Sequence, residues 1–442
     1  MIVMKFGGSS VADRTQIEKV RDIVRAHVDQ RPFVVCSAHK GITDGLQHAA
    51  RAAAAGHEGP YDVVARQRAI ARELEVDEAL IAPLLADLED LLRGIRLVGE
   101  VSPRSLDHVL SFGERMSVRV IADFLRRFGT DARAFDAWDL GFVTDDRFGR
   151  ARPLPGFEGR VRRAVDALDP EVVPVVTGFV GKTVDGVVTT VGRNGSDLTA
   201  TLFGAALGAE RVQIWSDTDG VMTADPSVVP EARNIPAMLY DEAAELAFFG
   251  SRVLHPTTLL PAMEADIPVH VRNTNRPDHP GTVISRTGTN DRIVTSIAYK
   301  EGQTLVTVRT PQMFEAAGFL ADLFGETRAR GVVVDVIATS EISVSFTVHH
   351  GTDTAPLAAA LEARGHEVVV RPGCAILVVV GHRLRDTPGI GARILGAMAK
   401  AGVNVEMVSY AHGSISFSMI VPDADVPRAV PVLHDMFFAD EA

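Results

Sequence analysis

Ile2-Val3-Met4-Lys5-Phe6-Gly7-Gly8-Ser9-Ser10, near the start of the chain, reads as a strand entering a turn. A short apolar run that ends in a glycine pair describes a buried strand entering a tight turn. Beyond the turn, Ile17, Val20, Val24 and Val28 recur at the three-to-four spacing of a helix packed on one face. Strand, glycine turn and helix open an α/β protein. Gly7 and Gly8 have no Cβ to keep an anion from backbone N–H groups at a helix start, and Lys5 adds a positive charge at the same place. The turn is therefore a phosphate site, or an ordinary βα loop that happens to carry glycine. It is not the P-loop pattern, in which the lysine follows the glycines into the helix.

Downstream, the apolar run Phe33 to Cys36 ends in Ser37, and the loop after it carries Lys40, Gly41, Thr43 and Asp44. Residues 46–100, rich in Ala, Leu, Glu and Arg, read as exposed helices. A further helix over Ser105–Phe128 turns Leu106, Val109, Leu110, Met116, Val120 and Phe124 inward, with Glu114 in its middle, where a carboxylate is ordinarily solvated. The stretch from Asp139 through Thr144, Asp145, Arg147 and Arg150 reads as a solvated connection. The densest signal is Val187 to Val191 opening into Gly192-Arg193-Asn194-Gly195-Ser196-Asp197, with Leu198, Leu202 and Ala206 continuing at helical spacing. Arg193 can grip a carboxylate or phosphate with two prongs, and Ser196 or Asp197 serves either as helix cap or in function. Arg211 to Trp215 is another strand, ending in Ser216, Asp217, Thr218, Asp219 and Gly220. Four polar loops, after Met4, Cys36, Val191 and Trp215, thus follow strands, and in a parallel sheet they gather at one edge as a ligand crevice.

The chain has 442 residues, enough for two to four domains with proper cores. Its 45 basic and 57 acidic residues give a formal charge of −12, which argues against a nucleic-acid surface while leaving room for a locally basic pocket. No apolar segment is long enough to span a membrane, no cleaved signal is expected, and the cytoplasm is the expected compartment. Cys36 and Cys374 are too few for a disulfide framework or a zinc site.

Lys5-Phe6-Gly7-Gly8-Ser9-Ser10, Gly192-Arg193-Asn194-Gly195-Ser196-Asp197, Trp215-Ser216-Asp217 with Asp225-Pro226, and Phe249-Gly250-Ser251-Arg252-Val253-Leu254-His255-Pro256 together resemble the aspartate kinases of the amino-acid kinase superfamily. The resemblance runs along nearly the whole chain and implies a three-layer α/β fold with a mainly parallel central sheet. It implies transfer of the ATP γ-phosphate, with Mg2+, to the β-carboxylate of L-aspartate, for lysine, threonine and methionine synthesis. By the resemblance, Lys5 meets the transferred phosphate, Gly7 and Gly8 donate N–H bonds to it beside Ser9, and Asp197 orients lysine. Arg193 takes the substrate α-carboxylate and Glu114 its ammonium group, while Ser37, Thr43 and Ser196 line the aspartate site. Ser216, Asp217 and Arg252 line the nucleotide site, and no protein side chain binds metal, Mg2+ arriving on ATP. Met222, Ser227 and Arg252 depart from the family's usual tyrosine, arginine and lysine.

The kinase domain is expected over 1–285, and Arg286 to Asp291 reads as a linker. Past it the chain repeats: Gly318, Gly331, Asp335, Ser343 and Phe346 recur as Gly389, Gly402, Glu406, Ser414 and Phe417 at one constant offset, 389 − 318. Each copy reads strand, glycine-opened helix, strand, strand, and resembles the paired α+β, ferredoxin-like ACT domains of these kinases, expected over 295–365 and 366–442. The resemblance implies lysine or threonine as effector and a homo-oligomer, a dimer through the ACT domains or a tetramer. Met313, Gly318, Leu320, Asp335, Thr339, Ser340 and Glu341 match the lysine-sensing pattern, with Glu315 and Ala316 replacing its histidine and serine. The expectation is an allosteric, single-function aspartate kinase; a non-catalytic amino-acid sensor and a kinase for another carboxylate are the alternatives.

Overall fold

The computed structural model describes the chain except for residues 250–253, 289–291, 314–316 and 440–442. Arg252, Glu315, Ala316 and the last three positions of the expected linker therefore lie outside the described residues. The chain forms two compact units. One is Met1–Val221 with Pro236–Tyr240 and Val253–Gly288; the other is Met222–Ile235 with Asp241–Arg252 and Thr289–Ala442.

The first unit contains β1 (Ile2–Phe6), β2 (Pro32–Cys36), β3 (Ala132–Phe135), β4 (Val173–Thr177), β5 (Val180–Lys182), β6 (Val188–Thr190), β7 (Val212–Ser216), β8 (Ala237–Leu239), β9 (Val269–Asn273) and β10 (Thr282–Ser285). Eight of them build one sheet in the order β3-β4-β2-β1-β7-β9-β10-β8, and β5 and β6 form a separate two-stranded ribbon. Every pairing in the large sheet is parallel except β9 with β10. The continuous apolar runs of β1, β2 and β4 are buried at every position, as a sheet covered on both faces requires.

Alternation along β1 and β2 separates the two faces. Ile2, Met4, Phe6, Val34 and Cys36 join a core shared with Ile17, Leu46, Leu88 and Met116 from helices on one side. Phe33 points the other way and packs at a tilt against Phe203, ring centroids 4.9 Å apart, from the helix Gly195–Leu207. Three layers result. The helices Ile42–Ala54, Asp62–Glu73 and Ala82–Val98 correct the expectation of exposed helices: Leu46, Ala50, Val63, Ile70, Leu85, Leu88 and Leu92 bury one face of each in that core. No helix among the described residues is long and apolar enough to cross a membrane.

The second unit contains β11 (Ser296–Arg309), β12 (Val334–Thr339), β13 (Ser343–Val348), β14 (Glu367–Val380), β15 (Met407–Ser409) and β16 (Ser416–Pro422) in one antiparallel sheet ordered β12-β13-β11-β14-β16-β15. The internal repeat is visible in backbone form. Gly318 (φ +90) and Gly389 (φ +75) open the helices Phe319–Ala329 and Ile390–Lys400, and Gly331 and Gly402, both at φ +66, follow them. Side chains at these positions would be strained, which is why glycine recurs there. Phe346 and Phe417 each enter a separate core. The repeated acids are paired too: Lys300 Nζ lies 2.7 Å from Asp335, and Arg371 lies 2.6 Å from Glu406.

The two cores share their long strands crosswise. Ser296–Lys300 pairs with the second half of β14 and Ile297 joins the second core, whereas Val368, from the first half of β14, packs on the first core. The segment Met222–Ile235 belongs to the second core as well, through Ala224 and Val229. Thr223 bonds His434 at 2.9 Å, Ser296 donates to the Met222 carbonyl at 2.8 Å, and Ser227 caps its own turn by donating to Asp225.

Candidate active site

Lys5 lies two residues beyond Val3, so both point from β1 toward the helix Gly195–Leu207. That helix comes very close: a Cβ on Gly204 would stand 2.5 Å from the Val212 side chain and 4.0 Å from Val3. Two turns earlier it presents Asp197, whose Oδ1 is 2.6 Å from Lys5 Nζ. Both residues are 8% exposed, and the contact is a close ion pair rather than an aligned hydrogen bond. The helix begins after Asn194, which sits at φ +52 and makes no side-chain cap, so neither Ser196 nor Asp197 is the cap the sequence left open.

A cavity of about 610 Å³ opens at the carboxyl ends of these strands. Lys5, Gly8, Ser9, Ser37, Thr43, Glu114, Arg193, Ser196 and Asp197 all line it. The loops after β1 and β2 meet there at the strand ends of the parallel sheet, whereas the loop after β6 comes from the separate antiparallel ribbon, which corrects the expectation that all four loops follow strands of one sheet. Ser216 and Asp217 do not line the cavity. They end β7, where the Ser216 carbonyl accepts from Thr274 and its hydroxyl lies 3.1 Å from that of Thr218. Asp225 and Ser227 fall in the other unit.

The glycine turn departs from the expectation in one respect. The Gly7 N–H donates to the Trp215 carbonyl at 3.1 Å, continuing the β1–β7 ladder, and is committed to the sheet. Gly8, one residue further, has no such acceptor for its N–H among the described residues. Its Cα also faces the β2 loop so closely that a Cβ would lie 3.1 Å from the Ala38 carbonyl. Lys5 Nζ folds back beside the turn, 3.2 Å from where a Gly7 Cβ would be. An ammonium, an unbonded N–H and bare glycine backbone together suit phosphate oxygens.

Glu114 overturns the ordinary expectation for a mid-helix glutamate. In the helix Pro103–Arg127 it is 3% exposed, and its Oε2 has no hydrogen-bond partner among the described residues. Burial pushes its carboxyl up to about 8, only partly opposed by the Ala38 N–H. Arg193, by contrast, is exposed at the cavity and makes no ion pair among the described residues. A buried acceptor and a guanidinium without an ion pair among the described residues, lining one cavity, have the chemistry to suit a molecule carrying both an ammonium and a carboxylate.

Sequence reasoning passed over two further cavity residues, His39 and Asp107. His39 is buried, its Nδ1 lies 2.6 Å from the Val11 carbonyl, and burial lowers its pKa to about 4, so it ties the β2 loop to the β1 loop as a neutral ring. Asp107 stands seven positions before Glu114, a two-turn spacing that would have placed it on the same helix face. Cys36 is a buried core residue whose thiol burial pushes up to about 12, which removes it as a nucleophile. No group of three or more His, Cys, Asp or Glu side chains among the described residues is arranged to hold a metal ion.

The residues expected at an effector site lie in the first repeat. Asp335 and Thr339 are on β12, at the edge of the sheet; Ser340 and Glu341 form the exposed turn after it, and the Ser340 hydroxyl lies 2.7 Å from that of Ser343. Met313 is half-buried, while Gly318 and Leu320 are exposed at the start of the helix Phe319–Ala329.

Comparison with known proteins agrees with this architecture. Residues 1–273 match the amino acid kinase family, and residues 377–437 match an ACT domain. The chain is 37% identical over 455 aligned positions to aspartokinase 1, chloroplastic, of Arabidopsis thaliana, spanning 99% of this chain and 80% of that protein. Escherichia coli aspartokinase III in complex with aspartate and ADP superposes with a TM-score of 0.84 at 35% identity, covering 99% of this chain and 100% of that one. The same enzyme in complex with lysine and aspartate superposes with a TM-score of 0.80, covering 99% of each. With the amino-acid kinase fold in its first part, an ACT module in its last, and full-length likeness to these relatives, the chain belongs to the aspartokinase family.

Proposed function

We propose that this aspartate kinase transfers the γ-phosphoryl group of ATP to the β-carboxylate of L-aspartate, giving 4-phospho-L-aspartate and ADP. One observation carries the reading: the Lys5–Asp197 pair, Arg193 with no ion pair among the described residues, and the buried Glu114 carboxyl with its Oε2 unbonded among them converge on one cavity. Ionised Glu114 suits the substrate ammonium and Arg193 its α-carboxylate, with Ser37, Thr43 and Ser196 supplying hydroxyls. The β-carboxylate is then the group left for reaction, and it is nucleophilic at neutral pH without a general base. Its oxygen attacks the γ-phosphorus as the bond to the bridging oxygen breaks and ADP departs. Lys5 and the Gly8 N–H offset the repulsion between the two anions, and Asp197 holds the Lys5 ammonium in place. Ser216, Asp217 and Arg252 are assigned to the nucleotide. Mg2+, carried on the nucleotide phosphates, would supply further charge neutralisation there. A non-catalytic sensor would have no use for the Lys5–Asp197 pair, which disfavours that alternative.

The C-terminal repeats are assigned to feedback by lysine, with threonine as the second candidate, at Met313, Gly318, Leu320, Asp335, Thr339, Ser340 and Glu341. The lysine-bound relative supports that choice. We take residues 1–285 as the catalytic domain, the two repeats as the sensing modules and the cytoplasm as the working compartment. We also take the functional form to be a homo-oligomer joined through those modules, where edge strand β12 leaves Ile337 exposed. The test is ATP-dependent acyl-phosphate formation from L-aspartate, trapped with hydroxylamine, with and without lysine and threonine. Hydroxamate suppressed by lysine is the expected result; folded protein that yields none with any nucleotide refutes the catalytic reading.

A further inference from the structure

We propose that Asp107 is a positioning residue that sets where Arg193 stands relative to Glu114. The proposal rests on the reading above, in which those two groups hold the ends of L-aspartate. Asp107 is 2% exposed and makes no ion pair among the described residues. Both of its oxygens are nevertheless taken. Oδ2 accepts from the Gly149 and Thr190 N–H groups, each at 2.8 Å, and Oδ1 accepts from the Thr190 hydroxyl at 2.8 Å. A buried carboxylate bonded to three donors on two other segments fixes those segments to its own helix.

Both segments lead to Arg193. From Thr190 the chain passes through Val191 and Gly192 directly to it, and this stretch is laid on residues 149–152. The Ala151 N–H donates to the Thr190 carbonyl at 2.9 Å, and Arg152 Nη1 donates to the Val191 carbonyl at 3.2 Å. Gly192, at φ +90, packs so closely that a Cβ there would fall 2.9 Å from the Gly149 carbonyl. The charged stretch ending at Arg150, which the sequence alone reads as a solvated connection, is thus the support under the Arg193 loop.

Asp107 and Glu114 stand two turns apart on one face of the helix Pro103–Arg127, and Asp107, Leu110 and Glu114 all line the cavity. One rigid helix therefore carries the ammonium acceptor at one point and anchors the guanidinium loop at another. The spacing between the two ends of the substrate site is set by that helix and not by the loop.

The experiment is steady-state kinetics of the full chain for Asp107→Asn, Thr190→Val, Thr190→Ser, Arg193→Ala and the double variant Asp107→Asn/Arg193→Ala. Asp107→Asn keeps one oxygen for the two N–H groups but removes the charge that strengthens all three bonds and turns an NH2 toward the Thr190 hydroxyl. The aspartate KM should therefore rise about fivefold while the ATP KM stays within about twofold. Thr190→Val should raise the aspartate KM less, Thr190→Ser should restore it, and the double variant should match Arg193→Ala alone, since both lesions act through one residue. An aspartate KM unchanged in Asp107→Asn, or parallel rises in both KM values, overturns the positioning role. If Asp107→Asn does not fold, an unchanged aspartate KM in Thr190→Val overturns it. Arg193→Ala with an unchanged aspartate KM instead refutes the underlying site assignment, and this proposal with it.

Discussion

The aspartate requirement should fall steeply as pH rises toward 8, and Glu114 should be the cause. In the empty site burial holds this carboxyl protonated, with a pKa raised from 4.5 to about 8. A substrate ammonium needs the ionised form, whose share is about 1% at pH 6, about 10% at pH 7 and about half at pH 8 for such a group. The apparent aspartate KM should therefore drop about tenfold per pH unit between pH 6 and 7.5 and level off above 8. The substrate β-carboxylate, with a pKa of ~3.9, is ionised throughout. The other titratable ring on this wall, His39, has already been pushed down to about 4. The same shift predicts a stability trend of fixed sign. A carboxyl whose folded pKa is raised stabilises the fold fully below its unfolded value of 4.5 and loses that contribution as pH rises through about 8. The thermal midpoint of the ligand-free enzyme should decline across this window, and aspartate should recover it most at the alkaline end. Initial rates against aspartate concentration from pH 6 to 9, beside melting curves for wild type and Glu114→Gln, test both trends. Glu114→Gln should show a raised, pH-independent aspartate KM. A wild-type KM that is flat from pH 6 to 8, or a Gln variant that keeps the slope, refutes the role given to Glu114.

Lys5→Ala should lower kcat by roughly 10²–10³ with little change in aspartate KM, because the ammonium serves the charge on the transferred group; an equal fall for Lys5→Arg and Lys5→Ala would show that charge alone is not its contribution. The same substitution leaves the Asp197 carboxylate without its cation, so a lowered thermal midpoint, partly restored in Lys5→Ala/Asp197→Asn, is also expected. Gly178→Ala would put a Cβ 2.5 Å from that of Ser196 and push back the start of the helix Gly195–Leu207; we expect a loss of about 1–3 kcal/mol in denaturant unfolding together with reduced activity. Lys300→Gln frees Asp335 from a partly buried ion pair worth ~1 kcal/mol, so half-inhibition by lysine should occur at about fivefold lower concentration, and an unchanged inhibition curve would remove Asp335 from the effector site.

Much of the molecule is legible in the sequence because its signals are local. Apolar runs broken by Gly7-Gly8 and by Gly192 to Gly195 mark strands that end in backbone conformations or close approaches that side chains resist. The constant offset of the C-terminal repeat appears for the same reason, since Gly318 and Gly389 must each open a helix at positive φ. Lys5, Asp197 and Arg193 are legible as candidates because each sits beside a glycine-bearing turn at a strand end or helix start, and all three line one cavity.

Other features depend on partners far away in the chain. The helical pattern around Glu114 shows two faces but not that this carboxyl is buried at 3% exposure, and it is burial that raises its pKa to about 8. Gly7 and Gly8 are chemically identical, yet the Trp215 carbonyl takes the N–H of the first and leaves the second. Asp107 gains its meaning from donors at Gly149 and Thr190, and the segment Met222–Ile235 joins the second core through His434 and Ser296. The crosswise sharing of β11 and β14 between two cores follows from pairing of strands far apart in the chain, from Arg309 with Glu367 to Ser296 with Val380. Periodicity and turn chemistry act over a few residues, whereas burial, hydrogen-bond competition and strand exchange are settled only when distant segments compete for the same backbone groups and the same dry volume.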